Sequence, residues 1–183
     1  MRRRLALAAG AAAAAAALAA ASCSSFRQAA SVRVEARTER GPSAGATLYL
    51  LDEDLIRLAM AEPDAGDDAQ SAVHREHPRL RLLAGLMNGR RFSAYPLGPD
   101  VRLLLEQSRP IWEPHVLRAA RADERGRAAF EHLAPGDYWL MCVDERDGRV
   151  AFWNVKLSLA RGANVITLDA KNALTVSDTL PAR

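Results

Sequence analysis

The sequence predicts a mainly β chain, a seven-stranded antiparallel β-sandwich with a helical insertion between strands 2 and 3. Three observations carry this expectation. Apolar and polar residues alternate with a period of two over 31–38 and over most of 116–169. Turn-forming residues recur at short intervals in the second half, at Asp123-Glu124-Arg125-Gly126, Pro135-Gly136, Asp147-Gly148 and Arg161-Gly162. Between 52 and 114 the apolar spacing lengthens to that of a helix, and Pro63, Pro78, Pro96 and Pro110 interrupt it.

The chain opens with Arg2, Arg3 and Arg4, followed by an alanine-dominated apolar run over 5–18 and then small residues up to Cys23. A basic start, a short apolar stretch and a small-residue exit form an export signal, and the run is short for a membrane span. Ala20-Ala21-Ser22-Cys23 resembles the lipobox of bacterial lipoproteins, with Ala20 where a leucine is usual. That resemblance implies a signal over 1–22, acyl chains on Cys23 and a lipidated tether over 23–30. Each buried methylene of such a chain adds about 0.8 kcal/mol of membrane affinity. Ser24, rather than an aspartate, follows the cysteine, which by the same resemblance implies the outer membrane, facing the periplasm. The alternative is a secreted or periplasmic protein cut after Ala21. Without the signal, the 25 basic side chains lose three arginines and no acid is lost from the 22, so the remainder is balanced. The net charge of +3 therefore gives no reason to expect a nucleic-acid partner.

The sandwich domain is expected over 31–175, with the insertion at 52–114 and a tail at 176–183. Val32, Val34 and Ala36 alternate with Arg33, Glu35 and Arg37 to give strand 1. Gly41, Pro42 and Gly45 turn the chain into strand 2, at 46–51. Asp52-Glu53-Asp54 then places acids where a helix N-terminus favours negative charge, ahead of Leu55, Ile56, Leu58 and Ala59. A second helical stretch over 69–91 should break near His77-Pro78, and a third short piece follows at 101–107.

From 116 the strand signal returns. Ala128, Phe130 and His132 fall on one face of the run after Gly126. Tyr138, Leu140 and Cys142 alternate with Trp139, Met141 and Val143. On the next strand Ala151, Trp153, Val155, Leu157 and Leu159 alternate with Phe152, Asn154, Lys156 and Ser158, and a last strand spans 164–169. With Cys23 acylated, Cys142 has no intramolecular disulfide partner, and its strand position marks it as a core thiol.

Three stretches together, Gly41-Pro42-Ser43-Ala44-Gly45-Ala46-Thr47-Leu48, Asp123-Glu124-Arg125-Gly126-Arg127-Ala128-Ala129-Phe130 and Leu133-Ala134-Pro135-Gly136-Asp137-Tyr138-Trp139-Leu140, resemble the carboxypeptidase-regulatory-like and Cna protein B-type family. The resemblance implies a prealbumin-like sandwich used for binding or structural support, and the insertion has no counterpart in it. Some members carry Lys to Asn or Asp isopeptide bonds, for which Lys156 with Asn172 or Asn154 could be nominated, although an exposed strand lysine is ordinarily just solvated. A fainter resemblance, over 46–54, is to the outer-membrane tethering lipoprotein of type VI secretion.

Nothing in the sequence supplies a nucleophile elbow, a phosphate loop or a zinc-protease motif, so no enzyme and no cofactor is expected. The rival is a metal-dependent envelope enzyme using His74 and His77, three residues apart with Glu76 beside them, but Pro78 follows at once and no third ligand stands at a defined spacing. A binding surface for a glycan or an envelope protein would draw on Trp112, Trp139 and Trp153. If Trp139 and Trp153 are both covered, the helices must pack on their sheet.

Overall fold

The computed structural model describes residues 29–61, 68–78, 80, 84, 98–146 and 149–178. Two β-sheets face each other, and a layer of short helices covers the outer face of one of them. Strand β1 (Ala30–Thr38) buries Ala30, Val32, Val34 and Ala36 and exposes Arg33, Glu35 and Arg37, as alternation requires. The short β2 (Gly41–Pro42) folds back on its end. The other sheet contains, in chain order, β3 (Thr47–Leu51), β4 (Val116–Arg121), β6 (Gly136–Arg146), β7 (Arg149–Leu159) and β9 (Thr175–Asp178), arranged spatially as β4-β3-β6-β7-β9. The first sheet is completed by β5 (Arg127–Leu133), antiparallel to β1, and β8 (Gly162–Leu168), parallel to it.

The expected fold class is the one observed, with three differences of detail. The pairing is antiparallel except between β1 and β8. Two strands lie outside the expected seven. One is the two-residue β2; the other is β9, which runs into the stretch expected as a tail because it can pair with the free edge of β7 at Arg149–Phe152. The third difference is at His132, expected beside Ala128 and Phe130. Ala30 faces Leu133 while Val32 faces Phe130, so β5 carries an extra residue there. His132 adopts φ 56° and points to solvent, and Leu133 takes the buried position in its place. A bulge resets the parity that alternation alone extends.

The core between the sheets is built from Val32, Val34, Leu48, Leu50, Phe130, Leu140, Cys142, Trp153 and Leu168. Burying each large aliphatic or aromatic side chain stabilises the fold by about 1.5–3 kcal/mol before entropy is counted. Trp153 is fully buried and donates its indole N–H to the Asp169 carbonyl at 2.9 Å, so its one polar atom is satisfied. Two turns fix the strands. Gly126 takes φ 72°, its carbonyl accepts from the Ala36 N–H at 2.8 Å, and the Ala36 carbonyl accepts from the Ser43 N–H at 2.8 Å. Around Pro135-Gly136, the Tyr138 hydroxyl donates back to the Ala134 carbonyl at 2.8 Å.

The insertion forms α1 (Leu55–Met60), α2 (Asp68–Glu76), α3 (Gly98–Gln107) and α4 (Arg109–Trp112), then a 3₁₀ turn at Glu113–His115. Asp54 caps α1, its carboxylate accepting from the Ile56 N–H at 2.9 Å. α2 ends at Glu76, two residues before Pro78, as the preceding-residue rule predicts. Ser108 separates α3 from α4; fully buried, its hydroxyl donates to the Leu104 carbonyl at 2.6 Å. Leu55, Ile56, Ala59, Val73, Leu104, Ile111 and Trp112 form a second core with Met141, Val150 and Phe152 from the outer face of β6 and β7. The helices therefore do pack on the sheet that carries Trp139 and Trp153.

Cys23 and the signal, the turn Asp147-Gly148 and the segment after 178 lie outside the described residues. Arg146 pairs with Arg149, so the β6–β7 connection falls where Asp147-Gly148 was expected. Among the described residues, no helix is long and apolar enough to cross a membrane.

Candidate functional site

A groove of about 430 Å³ opens between the outer face of the five-stranded sheet and the junction of α3 with α4. Its sheet wall comes from alternate residues of β3 and β6: Thr47, Tyr49, Met141 and Val143. These are the residues whose neighbours Leu48, Leu50, Leu140 and Cys142 point the other way into the inter-sheet core. Leu105 and Trp112 form the helix wall, and Ala44, Gly45 and Ala46 close one end.

Tyr49 and Trp112 meet edge to face, with ring centroids 5.5 Å apart and planes at 63°. Such a pair adds about 0.5–1.5 kcal/mol beyond its buried area and holds both rings in place. The Trp112 indole N–H donates to the Leu105 carbonyl at 3.0 Å, which sets the ring against the groove wall. The rim is charged, and several of its charges are paired. Arg146 grips the buried Asp144 carboxylate through Nε at 2.7 Å and Nη2 at 2.6 Å. Arg109 reaches Glu113 at 2.9 Å, Arg102 pairs with Glu145, and Arg121 donates to the Gly45 carbonyl at 3.1 Å. An aromatic and aliphatic floor beneath a rim of oriented donors and acceptors can hold a ligand that has both apolar and hydrogen-bonding surfaces. The hydroxyls of the described lining are those of Thr47 and Tyr49, and its carboxylates are Glu106, Asp144 and Glu145; it contains no Ser, Cys, His or Lys.

The three tryptophans named from the sequence do not share a surface. Trp112 lines the groove at 6% exposure, Trp153 is sealed between the sheets, and Trp139 is half-buried on the helix-covered face near the other end of β6. Their sequence positions give facing on each strand but not which face the insertion covers. The residues sequence reasoning missed are Tyr49, Met141 and the Asp144–Arg146 pair. Period two on β3 and β6 does put Tyr49, Met141 and Val143 on one face. The signal was there for the wall but not for its partner helix.

His77 follows the last residue of α2, its backbone N–H donating to the Val73 carbonyl at 2.9 Å, and its ring lies 4.0 Å from the Glu76 carboxylate. Among the described residues, no three His, Cys, Asp or Glu side chains converge as a metal-binding group. His115 instead contacts Asp52 at 2.8 Å, tying the end of the insertion to its beginning. Lys156 forms an ion pair with Asp137 at 2.8 Å, and Ser158 donates to the same carboxylate at 2.6 Å. These contacts hold the Asp137 carboxyl below the usual carboxylate range. Cys142 is fully buried, and burial pushes its thiol up to about 12, with Asp144 adding to the effect.

No family model matches the chain, and no curated protein matches it. Solved structures resemble it in outline at low identity. A minor pilin of Streptococcus agalactiae is 10% identical with a TM-score of 0.41, over 86% of this chain and 50% of that one. The major pilin SpaD of Corynebacterium diphtheriae is 13% identical with a TM-score of 0.38, over 84% and 31%. A Pseudomonas aeruginosa protein described as a candidate carbohydrate binding protein is 13% identical with a TM-score of 0.36, over 79% and 91%. The chain thus spans half of the first of these proteins and less than a third of the second.

Proposed function

We propose that this chain is a lipid-anchored protein of the cell envelope, held by acyl chains on Cys23 at the outer membrane, whose carboxypeptidase-regulatory-like sandwich binds an envelope glycan or protein without catalysis. The observation that carries the reading is the spacing between anchor and fold. The Ala29 carbonyl already accepts from Gly162 at 3.1 Å, and Ala30 is buried in β1. Ala29 is six residues beyond Cys23, so whatever the conformation between them, that stretch can span about 20 Å at most. A domain so close to its attachment works at the membrane surface. The groove supports the binding part of the reading, because it offers an oriented aromatic pair beside paired polar groups.

Metabolic labelling with a palmitate analogue tests the anchor. The native chain should take up label and stay with outer membranes through a high-salt wash, whereas Cys23→Ser should take up no label and wash off; an unlabelled native chain would overturn the anchor. The released Cys23→Ser protein should cosediment with isolated envelopes. Thr47→Arg, which fills the groove from an exposed strand position, should abolish that binding, and undiminished binding would remove the groove from the reading.

A further inference from the structure

Every sheet has two edges, and proteins usually blunt them with charge, proline, bulges or short strands. Three of the four edges here follow that rule. β5 exposes Arg127 and Glu131 and carries the His132 bulge, β4 exposes Arg118 and Arg121, and β9 is four residues long. β8 does not follow it. Its sequence, Gly-Ala-Asn-Val-Ile-Thr-Leu, has no charge and no proline, and its register with β1 runs unbroken from Gly162 to Leu168. Val165 is 64% exposed.

In a parallel pair, each residue of a strand directs both its N–H and its C=O to the same side, alternating along the chain. Gly162 donates to the Ala29 carbonyl, so the even-numbered residues of β8 bond to β1. The backbone groups of Ala163, Val165 and Thr167 therefore face away from β1. Asn172 bears this out by donating its side-chain amide to the Thr167 carbonyl at 2.7 Å, which leaves that oxygen a second lone pair. Among the described residues, no strand pairs with this side of β8.

We propose that the outer edge of β8 is an interaction site for a second copy of this chain, which adds its own β8 antiparallel in a register centred on Val165. About that centre Ala163 faces Thr167 of the second copy and Val165 faces Val165, so each facing pair exchanges an N–H for a C=O. The flanks argue for self-pairing over a foreign strand. Arg161 stands one residue before β8 and Asp169 one residue after it, so this register sets Arg161 of each copy against Asp169 of the other. Arg161 is exposed, and the Asp169 carboxylate, which accepts from the Lys171 N–H at 2.8 Å, has Arg37 as its ion-pair partner only at 4.0 Å among the described residues; the Asp169 N–H donates to the Asn172 side chain at 2.9 Å. The contact is isologous and closes as a two-fold dimer with no free β8 edge to propagate. It does not depend on lipidation.

The test is register-specific cross-linking of the full chain, in envelopes and as the purified Cys23→Ser protein. Facing residues of a hydrogen-bonded antiparallel pair have Cα atoms about 5.5 Å apart, within disulfide reach. Val165→Cys should therefore form a covalent dimer on mild oxidation. Ala163→Cys alone should not, while the double variant Ala163→Cys, Thr167→Cys should. Ala129→Cys, on the exposed face of β5, serves as the collision control. Native protein should show a concentration-dependent dimer by sedimentation, Val165→Lys should abolish it with an unchanged circular dichroism spectrum, and Arg161→Glu should weaken it about tenfold. A native chain that stays monomeric at every concentration, or Val165→Cys that cross-links no faster than the Ala129→Cys control, would overturn the proposal. Cross-linking by Ala163→Cys alone would overturn the register.

Discussion

Asn154 on β7 donates its side-chain amide to the Asp54 carboxylate at 2.7 Å, across 100 residues of sequence, and the same oxygen caps α1 through the Ile56 N–H. One carboxylate thus starts the insertion and fastens it to the sheet. Asp54→Ala should destabilise by about 2 kcal/mol, combining a lost cap with a buried amide left without its acceptor. Asn154→Ala should cost less, because Asp54 still caps the helix. In a double-mutant cycle read by denaturant unfolding the two changes should be coupled; simple additivity would show that the contact does not hold the layers together.

Gly126 and Gly45 both take positive φ, 72° and 77°, but they differ in what surrounds them. A Cβ on Gly126 would lie 2.3 Å from the Ala36 carbonyl oxygen and 2.9 Å from the Ser43 nitrogen, both backbone atoms. At Gly45 it would meet only the end of the Arg121 side chain, at 3.5 Å. Gly45→Ala should cost about 1–2 kcal/mol from left-handed backbone alone. Gly126→Ala should cost clearly more, since the β1 carbonyl cannot step aside without breaking its bond to Ser43. Equal losses in thermal melts would contradict this ranking.

The Asp123 carboxyl is held below the usual carboxylate range by the Arg127 backbone N–H and side chain and by the Arg125 N–H. A depressed folded value makes its charge stabilise above the unfolded value of about 3.9. That contribution fades as pH falls through the folded value. The difference in Tm between the native chain and Asp123→Asn should therefore be largest near neutrality and shrink towards about pH 2. A difference that does not change with pH would assign the effect to geometry alone.

The Cys142 thiol carries the opposite sign. Burial, then Asp144, raises it to about 12, so the folded state retains a proton that the unfolded chain releases from about pH 9 upward. The stability it supports is complete below the unfolded value and is lost as pH rises towards the folded one. At pH 8 the native thiol should resist an aromatic disulfide reagent and react only on unfolding. Rapid labelling of native Cys142 would show that the inter-sheet core opens without global unfolding.

The wall of the groove was half legible. Alternation places Tyr49, Met141 and Val143 on the face opposite Leu48, Leu140 and Cys142, and the structure agrees. Trp112 gave no such signal, because it sits in a four-residue helix between Pro110 and Pro114, too short for any period to show. The expectation of a tryptophan surface did not come together, since facing on a strand is local while cover is not. The bulge at His132 was equally hidden, because a change of parity is visible only against the partner strand, where Val32 and Ala30 fix the count.

By itself the sequence determined the order of the strands and helices, the turns at Gly126 and Gly136, the two faces of β1, β6 and β7, and the core position of Cys142. All of these rest on interactions between near neighbours, where periodicity and turn chemistry act directly. Tertiary structure decided the parallel docking of β8 on β1, the recruitment of β9, the sheet face that the helices cover and the open edge at Val165. Each of these depends on which distant surfaces come to lie together. The energy that selects them is apolar area buried between elements far apart in the chain, and no local pattern encodes it.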